Sequence, residues 1–295
     1  MRAGKVSQFL SSLLVIGAVN SALAESCAPL AEHVEIYDDE LSSVVSGSSE
    51  ICMIQDGFRW TEGPLWVPEL DALLFSDIPA SKVHMYDPDK GVSVYLDDSG
   101  FSNGLLRSPS GELVLMQSRT RQVGAMSSAI DSPTTVYKTL ASHFEGRRLN
   151  SPNDGVFHSS SALFFTDPPF GLPKQFDDEN KELDFQGVFR LSESGELSLI
   201  DDTISHPNGI GISPDEKWLY VAVSNEADMR WYRYPLTPDG DVGERELFFK
   251  IDAENVYSEL VVKKGVPDGL KFHENGMLFA TGPQGVWIFN HNKKY

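Results

Sequence analysis

One phrase recurs five times along this chain of 295 residues: an oxygen-bearing side chain followed by Gly, a few residues of apolar alternation, a polar turn, and a short, strongly apolar run. Glu62-Gly63-Pro64-Leu65-Trp66 leads into Leu73-Leu74-Phe75-Ser76, and Asn103-Gly104-Leu105-Leu106 leads into Leu113-Val114-Leu115-Met116. Asn153-Asp154-Gly155-Val156-Phe157 leads into Leu163-Phe164-Phe165-Thr166, and Asn208-Gly209-Ile210-Gly211-Ile212 leads into Trp218-Leu219-Tyr220-Val221. The last copy, Asp268-Gly269-Leu270-Lys271-Phe272, leads into Met277-Leu278-Phe279-Ala280. Self-similarity of this kind constrains the fold more than any composition statistic, because each copy must be one unit that buries its apolar face against the next.

The turns between the paired runs recur as well, as Ser108-Pro109-Ser110-Gly111, Ser213-Pro214-Asp215-Glu216 and His273-Glu274-Asn275-Gly276. Such clusters are hairpin chemistry. A third run of period two follows, for example Val83-His84-Met85-Tyr86, Val188-Phe189-Arg190-Leu191, Trp231-Tyr232-Arg233-Tyr234 and Val286-Trp287-Ile288-Phe289. Each unit therefore reads as a small antiparallel meander. Units of about 40–60 residues made of short strands predict an all-β chain folded as a β-propeller, with blades around a central channel.

In such a fold the first strand of each blade lines the channel, so side chains in equal phase converge at one end of it. Glu62, Asn103, Asn153 or its neighbour Asp154, Asn208 and Asp268 are expected to form a ring of oxygens. Carboxylates and amide carbonyls with no Cys or His in phase suit a hard divalent cation, Ca²⁺ first. Asn-Gly and Asp-Gly are also ordinary turn dipeptides. Turn chemistry does not account for Glu62 before Gly63-Pro64, nor for five copies in phase.

With 24 Lys and Arg against 43 Asp and Glu, the net charge of −19 repels phosphate backbones and argues against nucleic acid as a partner. After the N-terminus no apolar run approaches the length of a membrane-spanning helix, so no membrane association is expected. At the N-terminus, Arg2 and Lys5 precede the apolar stretch Phe9 to Val19, and Ala22-Leu23-Ala24 supplies a small-residue cleavage pattern. Residues 1–24 are read as a cleaved signal peptide, which places the protein in the periplasm or outside the cell. Export permits a disulfide between Cys27 and Cys52 that would anchor the N-terminal segment.

From about Phe58 to Phe289 the chain resembles the senescence marker protein and gluconolactonase family, above all its bacterial gluconolactonases. The resemblance is carried by Glu62-Gly63-Pro64-Leu65-Trp66, Ser102-Asn103-Gly104-Leu105, the run Arg148-Leu149-Asn150-Ser151-Pro152-Asn153-Asp154-Gly155, Phe165-Thr166-Asp167-Pro168-Pro169-Phe170-Gly171, His206-Pro207-Asn208-Gly209 and Val266-Pro267-Asp268-Gly269-Leu270. It implies a six-bladed propeller, metal-dependent hydrolysis of a small-molecule sugar lactone, and one divalent cation held by Glu62, Asn153, Asn208 and Asp268. Between Asn153 and Asp154 it favours Asn153, and strand alternation would then turn Asp154 away. Asn103 would meet substrate or water on the cation, and Asn153 would also contact substrate. Animal members carry Arg where this chain has Ser151, so sugar recognition is expected to follow the bacterial pattern. Members continue past the strand matching Val286 to Phe289, so the last blade is expected to be incomplete, residues 25–57 contributing strands to it and 58–295 forming the lactonase-like propeller.

Asp268 is the expected general base of that chemistry, with Ca²⁺ the expected ion and Zn²⁺ or Mn²⁺ as substitutes. Other readings stand beside it. A non-catalytic exported propeller would use the cation only for rigidity, and a phosphotriesterase-like hydrolase would use the same site. Gly100-Phe101-Ser102-Asn103-Gly104 fits a nucleophile elbow, which requires a strand running sharply into a helix. His206 is the first choice should an imidazole be needed, and Asp167 is either a turn former or a rim residue of the channel.

Overall fold

The computed structural model describes residues 26–30, 34, 39–46, 48–252 and 265–290, so residues 1–24, read above as a signal peptide, lie outside the described residues. The chain is an all-β propeller of antiparallel meanders. The first blade comprises Thr61–Val67, Ala72–Asp77, Lys82–Asp87 and Gly91–Leu96, and the second Ser102–Arg107, Leu113–Gln117, Gln122–Met126 and Tyr137–Ala141. The third comprises Gly155–Phe157, Leu163–Asp167, Gly187–Leu191 and Leu197–Asp201, and the fourth Pro207–Ile212, Trp218–Val223, Arg230–Pro235 and Glu246–Lys250. The fifth has three described strands, Leu270–Phe272, Leu278–Gly282 and Gly285–Phe289.

The sixth blade implied by the resemblance is not present among the described residues, which hold five. The described strands of the N-terminal segment, Ser26–Pro29 and Glu50–Met53, pair with each other instead of with a blade. Cys27 faces Cys52 in that pairing, and the two form the expected disulfide.

Four apolar clusters fill the four junctions between consecutive blades. Alternation along each second strand feeds two of them at once. Leu113 and Leu115 pack toward the first blade while Val114 and Met116 pack toward the third, and Leu219 and Val221 face the third blade while Tyr220 and Ala222 face the fifth. A strand covered on both faces must be apolar at every position, and this is why these runs are unbroken.

No such cluster joins the fifth blade to the first among the described residues. The outer face of the first blade instead lines an open cleft of about 310 Å³ with Ile54, Phe58, Pro64, Leu73 and Phe75. Trp60 and Trp66 stand 62% and 48% exposed beside it. The N-terminal segment touches both sides of this opening. Leu41 is buried, Asn290 Nδ2 donates to Glu40 Oε2 at 2.9 Å, and Asn275 Nδ2 donates to Ser43 Oγ at 3.5 Å, all on the fifth-blade side. At its other end Phe58 packs edge-on against Phe75 and His84, and the Asp77 carboxylate accepts the Arg59 and Trp60 N–H groups. Among the described residues no helix is long and apolar enough to cross a membrane.

Candidate active site

The innermost strands depart from regular pairing where the oxygen donors sit. Their register against the second strand breaks between Glu62 and Leu65, between Ser102 and Leu105, and between Pro207 and Ile210. Each break contains a donor followed by Gly, and a bulge of this kind re-aims a side chain out of strand alternation. Asn153 and Asp268 lie just ahead of the first paired residues of their strands, Gly155 and Leu270.

The glycines are set by close approach more than by turn geometry. Among the five, only Gly63 has a positive φ, at 59°. A Cβ on Gly63 would lie 2.2 Å from the Asn103 carbonyl oxygen, and one on Gly209 would lie 2.2 Å from that of Asp268. One on Gly104 would lie 2.9 Å from the Asn153 oxygen, which accepts the Gly104 N–H at 2.8 Å. In three copies, then, the residue after the donor is Gly because the backbone of the next donor presses against it.

A second set of residues, not singled out in the sequence, fixes the ring from behind. The Ser76 hydroxyl donates to the Asn103 carbonyl at 2.9 Å, Ser118 to Pro152 at 3.0 Å, Thr166 to Asn208 at 2.7 Å, and Ser224 to Pro267. Each hydroxyl sits at the end of the second strand of one blade and grips the backbone at, or one residue before, the donor of the next. Thr281, in the same place in the fifth blade, donates to Gly269 of its own blade at 3.0 Å. A Cβ on Gly269 would meet nothing within 4 Å among the described residues. The signal in the sequence is the hydroxyl closing each apolar run, next to last in its strand at Ser76, Thr166 and Thr281 and just past the strand at Ser118 and Ser224.

The channel concentrates negative charge. Burial first, then the charge of Asp268, pushes the Glu62 carboxyl up to about 7, with Asp154 adding to it and the Trp60 indole N–H opposing. Asp268 is raised by burial and by Asp154, against the Asn208 amide and the Gly269 N–H. Asp154 is thus near enough for its charge to bear on both of these carboxylates. Its Oδ2 lies 3.9 Å from Lys271 Nζ, the one cationic side chain within ion-pair distance of these carboxylates among the described residues. The three carboxylates do not form a tight acidic cluster. The only set of three His, Cys, Asp or Glu donors within 4.8 Å of one another among the described residues is Cys27, Glu50 and Cys52, whose sulfurs are in the disulfide.

The raised Glu62 carboxyl has a consequence for stability. Below pH 4.5 it is protonated in both states and contributes nothing. Between 4.5 and about 7 the folded protein keeps a proton that the unfolded chain has released, so stability falls as pH rises through that window and levels off above it. In chelator-treated protein this share amounts to at most about 3 kcal/mol, and Glu62→Gln removes it. Urea unfolding of both proteins at pH 5 and pH 8 measures the difference; parallel losses in the two would refute it.

Of the remaining sequence candidates, Asp167 is fully buried and accepts the N–H groups of Asn150 and Ser151 at 2.6 and 2.7 Å. It is neither a turn former nor a rim residue; it sets the backbone leading to Asn153. Ser102 is buried against Ser76, and the chain after it continues as a strand, so the nucleophile elbow is not formed. His206 packs against Phe176 at 4.4 Å and Phe170 at 6.3 Å, burial lowers its pKa, and its Nδ1 has no hydrogen-bond partner. Asn153 and Asn208 are buried and Asn103 is half-buried.

The family profile described as SMP-30/Gluconolactonase/LRE-like region matches residues 60–294. The chain is a member of that family. Within it, a gluconolactonase of Zymomonas mobilis is 36% identical over 266 residues, covering 86% of this chain and 73% of the relative. Among solved structures, a gluconolactonase of Xanthomonas campestris superimposes with a TM-score of 0.76 at 30% identity, over 91% of this chain and 83% of that one. A calcium-binding regucalcin from Agrobacterium tumefaciens shares the fold, with a TM-score of 0.61 at 19% identity over 81% of this chain and 73% of its own.

Proposed function

We propose that this lactone hydrolase opens sugar lactones such as glucono-1,5-lactone at the channel mouth. Its site would hold one divalent cation, Ca²⁺ in preference to Zn²⁺ or Mn²⁺, on Glu62, Asn153, Asn208 and Asp268. The observation that carries the reading is the gathering of Glu62 and Asp268 at one channel with the Asp154 charge near both, burial first and then like charge raising the proton affinity of Glu62 and of Asp268. Buried carboxylates in this state favour a compensating cation, and an all-oxygen donor set suits a hard one. Identity to two gluconolactonases supports the lactone as substrate class.

When bound, the cation supplies a Lewis acid for the lactone carbonyl and a positive charge that eases deprotonation of water. The protein's own residues do the rest. Asp268 takes a proton from the attacking water on its carboxylate as the new C–O bond forms. It then returns that proton to the ring oxygen as the ester C–O bond breaks, leaving the open hydroxy acid. Glu62 contributes negative charge and a ligand oxygen. Asn103 and Asn153 orient substrate hydroxyls or water by hydrogen bonds. Asp154, held by Lys271, adds to the field without being a ligand.

The test is acid release from glucono-1,5-lactone in a pH-stat. Activity is expected to vanish on chelation and to return with added CaCl2. Undiminished turnover in chelator would remove the cation from the mechanism, and a lactone that binds without being opened would favour the non-catalytic propeller. We further propose that residues 1–24 direct export to the periplasm or beyond and that residues 25–57 belong with the closing side of the propeller 58–295. The Cys27–Cys52 disulfide supports an oxidising compartment.

A further inference from the structure

Ser224 follows directly on the strand Trp218–Val223 and makes two hydrogen bonds of opposite sense. Its Oγ accepts from Asn208 Nδ2 at 2.8 Å and donates to the carbonyl oxygen of Pro267, the residue before Asp268. It thereby joins donors from two different blades. Among the inter-blade hydroxyls it is the one that also receives the side-chain amide of a ring residue; Ser118 and Thr166 reach backbone carbonyls, and Ser76 reaches a backbone carbonyl and the Ser102 hydroxyl.

We propose that Ser224 is a positioning residue that fixes which end of the Asn208 amide is offered to the cation; the inference rests on the cation reading above. The two ends of a carboxamide are nearly equal in size, so shape alone does not choose between them. Proton accounting does. A hydroxyl has one hydrogen, and that of Ser224 is committed to Pro267, so toward Asn208 it can only accept. A flipped amide would set Oδ1 against an oxygen with no proton between them. One N–H of Asn208 is thus held by Ser224, and Oδ1 is the end left for a ligand. Holding the Pro267 carbonyl also seats Asp268, so a single hydroxyl sets the relation of two ligands.

The test compares Ser224→Thr with Ser224→Val, which differ in the hydroxyl and little in shape, and uses two readouts. Thr suits the position, since Thr166 and Thr281 occupy it in the third and fifth blades. In calorimetric titration with CaCl2 alone, the parent and the Thr variant are expected to agree within about threefold, and the Val variant to bind at least about tenfold more weakly. In metal-free protein, exchange of the Asn208 side-chain amide protons, followed by NMR, is expected to be slow in the parent and the Thr variant and fast in the Val variant. Equal exchange in Thr and Val overturns the role of Ser224 whatever the titration shows, and equal CaCl2 affinity in Val and parent overturns it as well. A parent that binds no CaCl2 removes the cation reading, and the exchange rates then decide separately whether Ser224 holds the amide.

Discussion

Replacing Asp268 by Asn is expected to lower kcat for glucono-1,5-lactone by about 10²–10⁴-fold, the usual range for loss of a positioned base, while the variant still binds CaCl2 measurably. The substitution keeps an oxygen at nearly the same place, so it separates ligation from proton transfer. Asp268 suits the base role because burial and the nearby Asp154 charge raise its affinity for a proton relative to an exposed carboxylate. A general base that is too acidic takes no proton; a cation that partly offsets the raised pKa leaves it ionised yet still basic. The measurement is a pH-stat progress curve on protein shown by calorimetry to hold its ion. Parental turnover in that state would move the base elsewhere in the channel, with Glu62 the next group to examine.

The second large effect concerns the fold of the ring. Gly209→Ala is expected to destabilise the protein by about 3 kcal/mol, the upper part of the overpacking range, and to weaken cation binding with it. The added carbon would sit 2.2 Å from the carbonyl oxygen of Asp268, a backbone atom that cannot swing aside. The innermost strands of the fourth and fifth blades would have to separate. Gly269→Ala is the matched control: it has an ordinary φ and open space where the methyl would go, and its change should stay within about 0.5 kcal/mol. Urea unfolding of both variants reads the contrast. Equal effects at the two positions would mean that the fifth blade has a neighbour on its far side in solution.

Much of this was legible in the repeated phrase, for a physical reason. Close approach of one donor's backbone to the preceding blade forces Gly at 63, 104 and 209, and burial on both faces forces unbroken apolar second strands, so ring and blade each leave a mark in the letters. The hydroxyls at 76, 118, 166, 224 and 281 left a weaker mark, since Ser and Thr end many strands and their grip on the next blade is a tertiary fact. Asp167 was undecided because its partners, two N–H groups near Asn150, are sixteen and seventeen residues away in sequence. The count of six blades came from resemblance; the described residues hold five, and the exposed Trp60 and Trp66 mark the side where packing stops.

The inter-blade hydroxyls all point the same way, from each blade to its successor, and this gives the ring a direction. The seat of a donor is set by the blade before it as well as by the blade that carries it: Thr166 of the third blade holds Asn208 of the fourth, and Ser224 of the fourth holds the approach to Asp268 of the fifth. Loops that grow from a blade's own outer hairpins can therefore vary in length and chemistry without moving that blade's oxygen. Damage travels forward instead: loosening one blade disturbs the ligand of the next and leaves the ligand of the previous one in place. Glu62, at the head of the series, is the donor with no described blade behind it, and its seat depends on the short N-terminal approach through Phe58, Arg59 and Trp60.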